Sequence, residues 1–94
     1  MDDQELGQVS AIFSALGSPT RLKIVDIVGK TERPLHIKAV AKMLKKDYAA
    51  VYRHVQVLEK SGLLEVYEVG RSRVIHLKNA DLVNSCVQTI KKML

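Results

Sequence analysis

Cysteine, proline, glycine and long apolar runs are all scarce in this sequence, and each shortage excludes something. One cysteine, Cys86, in 94 residues rules out an internal disulfide framework and a cysteine-rich zinc site. No stretch approaches the roughly 20 apolar residues needed to cross a bilayer. The N-terminus, MDDQELGQ, is acidic and lacks the basic start and apolar centre of a signal peptide, so a cytoplasmic location is expected. There is no glycine-rich phosphate loop, no nucleophile beside an evident base and no carboxylate pair suited to a cleft, so an enzyme is not expected. No repeat, linker or low-complexity segment interrupts the chain, which is long enough for one domain spanning residues 1–94.

What is present is an ordinary globular composition, 47% hydrophobic and 27% charged, with an uneven charge. Residues 1–20 hold three acids and no base, whereas residues 21–80 hold 13 Lys/Arg against 6 Asp/Glu. A positive excess confined to one segment is the footprint expected of a phosphate-binding surface, with simple solubility as the alternative.

That segment contains the stretch KMLKKDYAAVYRHVQVLEKSGLL, Lys42 to Leu64. It reads as the end of one helix, a tight turn, a second helix and a glycine-marked exit into a strand. Asp47 suits the N-cap of the second helix. Val51, Val55 and Leu58 form an apolar stripe at i, i+4 and i+7, so Tyr48, Ala49, Tyr52, Arg53 and Gln56 fall largely on the opposite face. A helix with a core stripe and an acid-free, hydrogen-bonding outer face suits the DNA major groove.

The few breakers fall mostly where helical periodicity stops. Gln4 to Leu16 is predicted as a first helix on Leu6, Val9, Phe13 and Leu16, ended by Gly17. Ser18-Pro19 then starts a second helix, Pro19 to about Val28, apolar over much of its girth, with Gly29 as its stop. Thr31 to Pro34 reads as a loop and His36 to Leu44 as a third helix. There Lys38, Lys42 and Lys45, followed by Lys46, form a row able to meet the DNA backbone; a solvated surface row is the alternative. Beyond Ser61-Gly62 the pattern changes to period two, giving strands from about Leu64 to Val69 and from Ser72 to Lys78 about a Gly70-Arg71 turn. Arg71 and Arg73 near the tip make this hairpin a candidate wing.

Asn79 is placed to cap a last helix, Ala80 to Leu94, whose stripe of Val83, Cys86, Ile90 and Met93, with Val87 alongside, is wide for so small a body. Pairing of this helix and the first one with a second copy is expected to cover Leu6, Val9, Phe13, Val83, Cys86, Val87, Ile90 and Met93, intramolecular packing being the alternative. Cys86, lone on an apolar stripe, is expected in core rather than as a thiol switch. His54, at the edge of the recognition stripe, is expected to be packed and hydrogen-bonded.

In sum, a mainly α architecture with a small β-hairpin is predicted, in the order α-α-α-α-β-β-α. Over nearly its whole length the chain resembles the ArsR-like winged helix-turn-helix repressors. The resemblance is carried by Leu16-Gly17-Ser18-Pro19-Thr20-Arg21-Leu22-Lys23-Ile24, Val51-Tyr52-Arg53-His54-Val55, Leu58-Glu59-Lys60-Ser61-Gly62-Leu63-Leu64 and Gly70-Arg71. It implies a homodimer that binds an inverted repeat in double-stranded DNA and blocks transcription, with Tyr48, Ala49, Tyr52, Arg53 and Gln56 facing the groove. The chain departs from the family at Tyr52, where a small serine commonly stands, and that bears on groove fit and sequence preference. It departs again at the family's metal sites. His36 and Lys38 occupy the positions of a Cys-x-Cys pair, and Asp81 is followed two residues on by Val83 rather than by histidine. No metal and no cofactor are therefore expected. The competing function is a winged-helix interaction module in a transcription or assembly complex that does not read DNA itself.

Overall fold

A computed structural model describes residues 1–94 and gives the order α1 (Asp3–Leu16), α2 (Pro19–Gly29), β1 (Leu35–His36), α3 (Ile37–Leu44), α4 (Tyr48–Lys60), β2 (Leu64–Val69), β3 (Ser72–Leu77) and α5 (Ala80–Lys91). Helix α1 begins one residue earlier than its apolar pattern predicts. Asp2 accepts from the Glu5 N–H at 2.8 Å while Glu5 accepts from the Asp2 N–H at 3.3 Å, a reciprocal cap. Helix α2 starts at the predicted signal, with Ser18 Oγ accepting from the Arg21 N–H and Pro19 in the first turn. It buries Ile24, Val25 and Val28, but Leu22 lies on its open side, so the burial is narrower than predicted.

The core forms around α4. Val51, Val55 and Leu58 are fully inaccessible and meet Ile24 and Val28 of α2, Ile37 and Val40 of α3, Leu64 of β2, and Ile75 and Leu77 of β3 in one apolar cluster. Opposite partners Leu64↔Leu77 and Val66↔Ile75 put the apolar positions of β2 and β3 on the sheet face turned to that cluster.

Three details depart from the sequence reading. His36 does not open α3. It ends β1, a third strand that pairs antiparallel with β3 (Leu35↔Ile75, His36↔Val74), so the sheet order is β1-β3-β2 and the wing is anchored on both sides of β3. A strand of two residues displays no period, which is why the pattern hid it. Asp47 and Asn79 stand at the N-cap positions of α4 and α5, but neither side chain makes the capping hydrogen bond. Helix α5 ends at Lys91 rather than Leu94.

The turn between α3 and α4 is closed by backbone bonds. Lys45 takes a left-handed conformation at φ 55°, its N–H donating to Lys42 O while the Lys46 N–H reaches back to Ala41 O at 3.1 Å. Helix α4 ends in the same way, with Gly62 at φ 87° donating to Glu59 O and Leu63 donating to Leu58 O. Both are Schellman closures, one on the usual glycine and one on a lysine that bears the steric cost of its Cβ.

This pair gives a prediction of opposite signs. A Cβ at Gly62 would meet nothing within 4 Å, so Gly62→Ala tests conformation alone. It should destabilise by about 1 kcal/mol, and Lys45→Gly should stabilise by up to about 1 kcal/mol. Urea unfolding midpoints decide, and a Lys45→Gly protein less stable than the parent would contradict the left-handed turn.

Candidate nucleic-acid interface

Because α4 buries Val51, Val55 and Leu58, its other side faces out, with Tyr48, Ala49 and Arg53 exposed and Tyr52 and Gln56 half-buried. Helix α3 leads into it through the Lys45 turn, and the β2–β3 hairpin rises beside its N-terminal end. The three elements enclose a cleft of about 450 Å³ lined by His36, Lys38, Lys42, Tyr48, Arg71 and Arg73 together with Ala39 and Ser72. Lysines from α3, arginines from the wing and a tyrosine from α4 are thus brought together with no acid among them. The only ion pair within 4 Å in the protein is Lys30–Asp26, along α2, so none of these cations is neutralised by a carboxylate. Lys45 and Lys46 lie in the turn, exposed and outside the cleft.

The wing tip departs from the simple picture of two projecting arginines. Gly70, at φ 61°, and Arg71 form a two-residue turn, and Arg71 is exposed at its end. Arg73 instead lies back on α4, its guanidinium carbon 4.5 Å from the Tyr52 ring centroid and its Nη1 donating to Tyr48 Oη at 3.5 Å. The hydrogen bond to Tyr48 and the nearby phenols hold the Arg73 guanidinium even more firmly protonated than usual. The two tyrosines, one turn apart, stack with centroids 6.1 Å apart. On β2, the Tyr67 hydroxyl donates to Glu65 at 2.6 Å, which raises the phenol's pKa.

A contact absent from the sequence reading joins α4 to the first helices. The Arg21 guanidinium donates from Nε to Ala15 O at 2.6 Å and from Nη2 to Ser14 O at 3.3 Å, and its Nη1 lies 3.2 Å from His54 Nδ1. One side chain of α2 therefore satisfies two terminal carbonyls of α1 and holds α4 by its histidine. His54 is packed and hydrogen-bonded as expected; its arginine partner, 33 positions away, has no sequence signal. Burial, then the positive charges of Arg21, Lys46 and Arg53, lower its pKa from the ordinary 6.5.

The residues expected at a subunit interface separate into two groups. Val83 is 8% exposed and belongs to the protomer's own core, because the first turn of α5 packs down onto it. Leu6, Val9, Phe13, Ile90 and Met93 are exposed, Cys86 is exposed rather than core, and Val87 is half-buried. A groove of about 330 Å³ between α1, α2 and α5 is lined by Phe13, Leu16, Leu22, Cys86, Val87 and Ile90, among others. The three histidines lie on separate elements, and no three His, Cys, Asp or Glu side chains converge as metal ligands would. No helix is long and apolar enough to cross a membrane.

Comparison with known proteins agrees with this architecture. The family described as HVO_A0114 matches residues 17–83. The HTH-type transcriptional regulator YuzN of Bacillus subtilis (strain 168) is 34% identical over 83 residues, covering 83% of this chain and 90% of that protein. Among solved structures, the homodimeric winged helix-turn-helix DNA-binding domain Mb0332 of Mycobacterium bovis superposes with a TM-score of 0.83 at 22% identity, covering 98% of this chain and 88% of that one. An ArsR-like transcriptional regulator from Rhodococcus sp. RHA1 superposes with a TM-score of 0.73 at 25% identity, covering 99% and 83%.

The burial of His54, beside the positive charge of Arg21, makes stability pH-dependent. In the unfolded chain His54 takes up a proton near its ordinary pKa of 6.5, whereas the folded protein resists it. The unfolded state then binds more protons between the folded pKa and 6.5, so stability falls as pH drops through that window and levels off below it. Urea midpoints at about pH 7.5 and about pH 5.5 should show this loss. In His54→Gln the loss should shrink; an unchanged loss would place its source elsewhere.

Proposed function

The chain belongs to the HVO_A0114 family and is an ArsR-like winged helix-turn-helix transcriptional regulator, and from that premise we propose that it is a homodimeric repressor of an inverted-repeat operator. The observation that carries this reading is the convergence of unneutralised Lys38, Lys42 and Arg71 on one acid-free cleft beside the outer face of α4, with Arg73 lying back on that helix. Phosphate attraction places the protein on the duplex, and base edges are read from α4. Arg53 has the paired donors that match guanine O6 and N7, and Gln56 has the donor and acceptor that match adenine. Tyr48 and Tyr52 offer ring edges to a thymine methyl and hydroxyls to phosphate. Lys45 and Lys46, at the turn, meet the backbone as α3 crosses it.

A second copy supports the same reading through apolar surface. Helices α1 and α5 each bury one residue, Ala15 and Val83, while Leu6, Phe13, Leu82 and Ile90 stay in water. Pairing α1 and α5 across a two-fold axis removes that surface from solvent. It also sets two α4 helices in successive major grooves, about 10 base pairs apart. Bound there, the dimer represses by occupying the promoter.

Two experiments test the proposal. Selection from random duplex DNA should enrich an inverted repeat with half-sites about one helical turn apart, and on it Arg53→Ala should cost about 1–3 kcal/mol and relax preference at one position. Retention that enriches no motif and disappears with modest salt would favour the interaction-module reading instead. Separately, Phe13→Glu with Ile90→Glu should leave a folded monomer by sedimentation equilibrium that no longer distinguishes a whole operator from a half-site. A double variant that remains dimeric would move the interface away from α1 and α5.

A further inference from the structure

We propose that Arg73 is a positioning residue: by lying on Tyr52 it fixes the angle of the wing against the recognition helix and leaves Arg71 as the wing's phosphate ligand. This rests on the DNA-binding reading above and assigns different work to two arginines that the sequence alone treats as a pair.

Beyond its base, where β1 pairs with β3, the wing has little else to hold it. Tyr67, Glu68, Val69, Gly70, Arg71 and Ser72 are all exposed, so the distal half of the hairpin has no core of its own. A two-stranded ribbon without a packed face is marginal in water. Along β3 the cluster-facing positions run Leu77, Ile75, Arg73 toward the tip, the first two deep in the core. Arg73 is the next residue in that row and half-buried, where its planar guanidinium covers the Tyr52 ring at 4.5 Å. Tyr52 in turn packs against the core cluster. Beyond the β1–β3 pairing at the base, the path from core to wing tip therefore runs through Arg73, by its cation–π contact with Tyr52 and its hydrogen bond to Tyr48. Glu68 stands opposite Arg73 across the hairpin yet makes no ion pair with it within 4 Å, so the partners of Arg73 are the two tyrosines of α4.

This arrangement has consequences for DNA. Guanidinium nitrogens only donate, so Tyr48 Oη is the acceptor from Arg73 and its own O–H remains free to donate to a phosphate. Arg71, exposed at the turn with no partner, keeps all its donors for the backbone. Tyr52, bulky where the resemblance leads one to expect serine, becomes the seat of the wing rather than an obstruction to the groove.

The two roles differ in salt dependence, because each neutralised phosphate adds about 0.9 to the slope of log K against log salt, whereas a positioning contact adds nothing. On the operator recovered by selection, Arg71→Ala should make the slope shallower by about 0.9. Arg73→Ala should lower affinity about two- to fivefold at every salt concentration and leave the slope unchanged. Tyr52→Phe, which keeps a ring, should retain the coupling to Arg73. In a Tyr52→Leu background, Arg73→Ala should cost nothing further. A shallower slope for Arg73→Ala, or the same loss with leucine at position 52, would make Arg73 a direct phosphate ligand and overturn the inference. If the parent protein selects no operator, the DNA reading fails and this inference fails with it. Circular dichroism of each variant checks that the fold is kept.

Discussion

With Val51, Val55 and Leu58 withdrawn from water, α4 has one rotational setting about its axis, and everything on its far side follows. Burying each of these side chains is worth roughly 1.5–3 kcal/mol. A charged contact at the surface is worth about 0–1 kcal/mol, so no arrangement of Tyr48, Arg53 or Gln56 can turn the helix against its own core. The residues that would meet DNA are thus presented by an apolar stripe that never touches it. The same cluster fixes the wing, since Ile75 and Leu77 of β3 enter it beside the stripe.

The second constraint is the turn that feeds α4. A chain reversal between α3 and α4 requires one left-handed residue, and glycine is the usual solution. Here the residue is Lys45, with Lys46 next to it. A lysine in that conformation costs on the order of 1 kcal/mol, and nothing in the core recovers it. What it supplies is a cation at the point where α3 crosses a phosphate backbone in the proposed complex. Asn79, the other left-handed residue that is not glycine, is of a type that tolerates the conformation, whereas lysine is not. Gly62 makes the contrast plain: the same closure, at the end of α4 that carries no proposed contact, uses glycine.

Helix positions, the β2–β3 hairpin and the facing of α4 were legible in the sequence because each repeats with a period and ends at a breaker. Two kinds of feature were not. Strand β1 is too short to show a period, and its identity depends on β3, some 40 positions further on. The contacts of Arg21 with His54 and of Arg73 with Tyr52 join residues that are polar, single and distant in sequence, so no spacing announces them. The burial of individual α5 positions has the same origin. Val83 and Cys86 sit on one stripe by spacing, yet only the tilt of α5 on the body decides that the first is buried and the second exposed. Caps failed for a related reason. Asn79 occupies the right position but is left-handed, φ 51°, where an N-cap is normally extended; Asp47 has the extended backbone and still makes no cap hydrogen bond.

Arg21 connects the two halves of the proposed mechanism. A helix of 14 residues that buries only Ala15 is not stable through its own contacts, and α1 is held at its C-terminal end by a guanidinium on Ser14 and Ala15 carbonyls. The same group lies against His54 on α4. The orientation of the helix proposed to pair with a second copy is therefore tied to the orientation of the helix proposed to read DNA, through Arg21 and through Ala15 and Leu16 packed on the shared core. In a two-fold dimer the separation of the recognition helices must match one turn of DNA, and small errors at the dimer helices are magnified over the distance to the groove. In the proposed dimer, half-site spacing would then depend on the α1–α4 packing as well as on the interface itself.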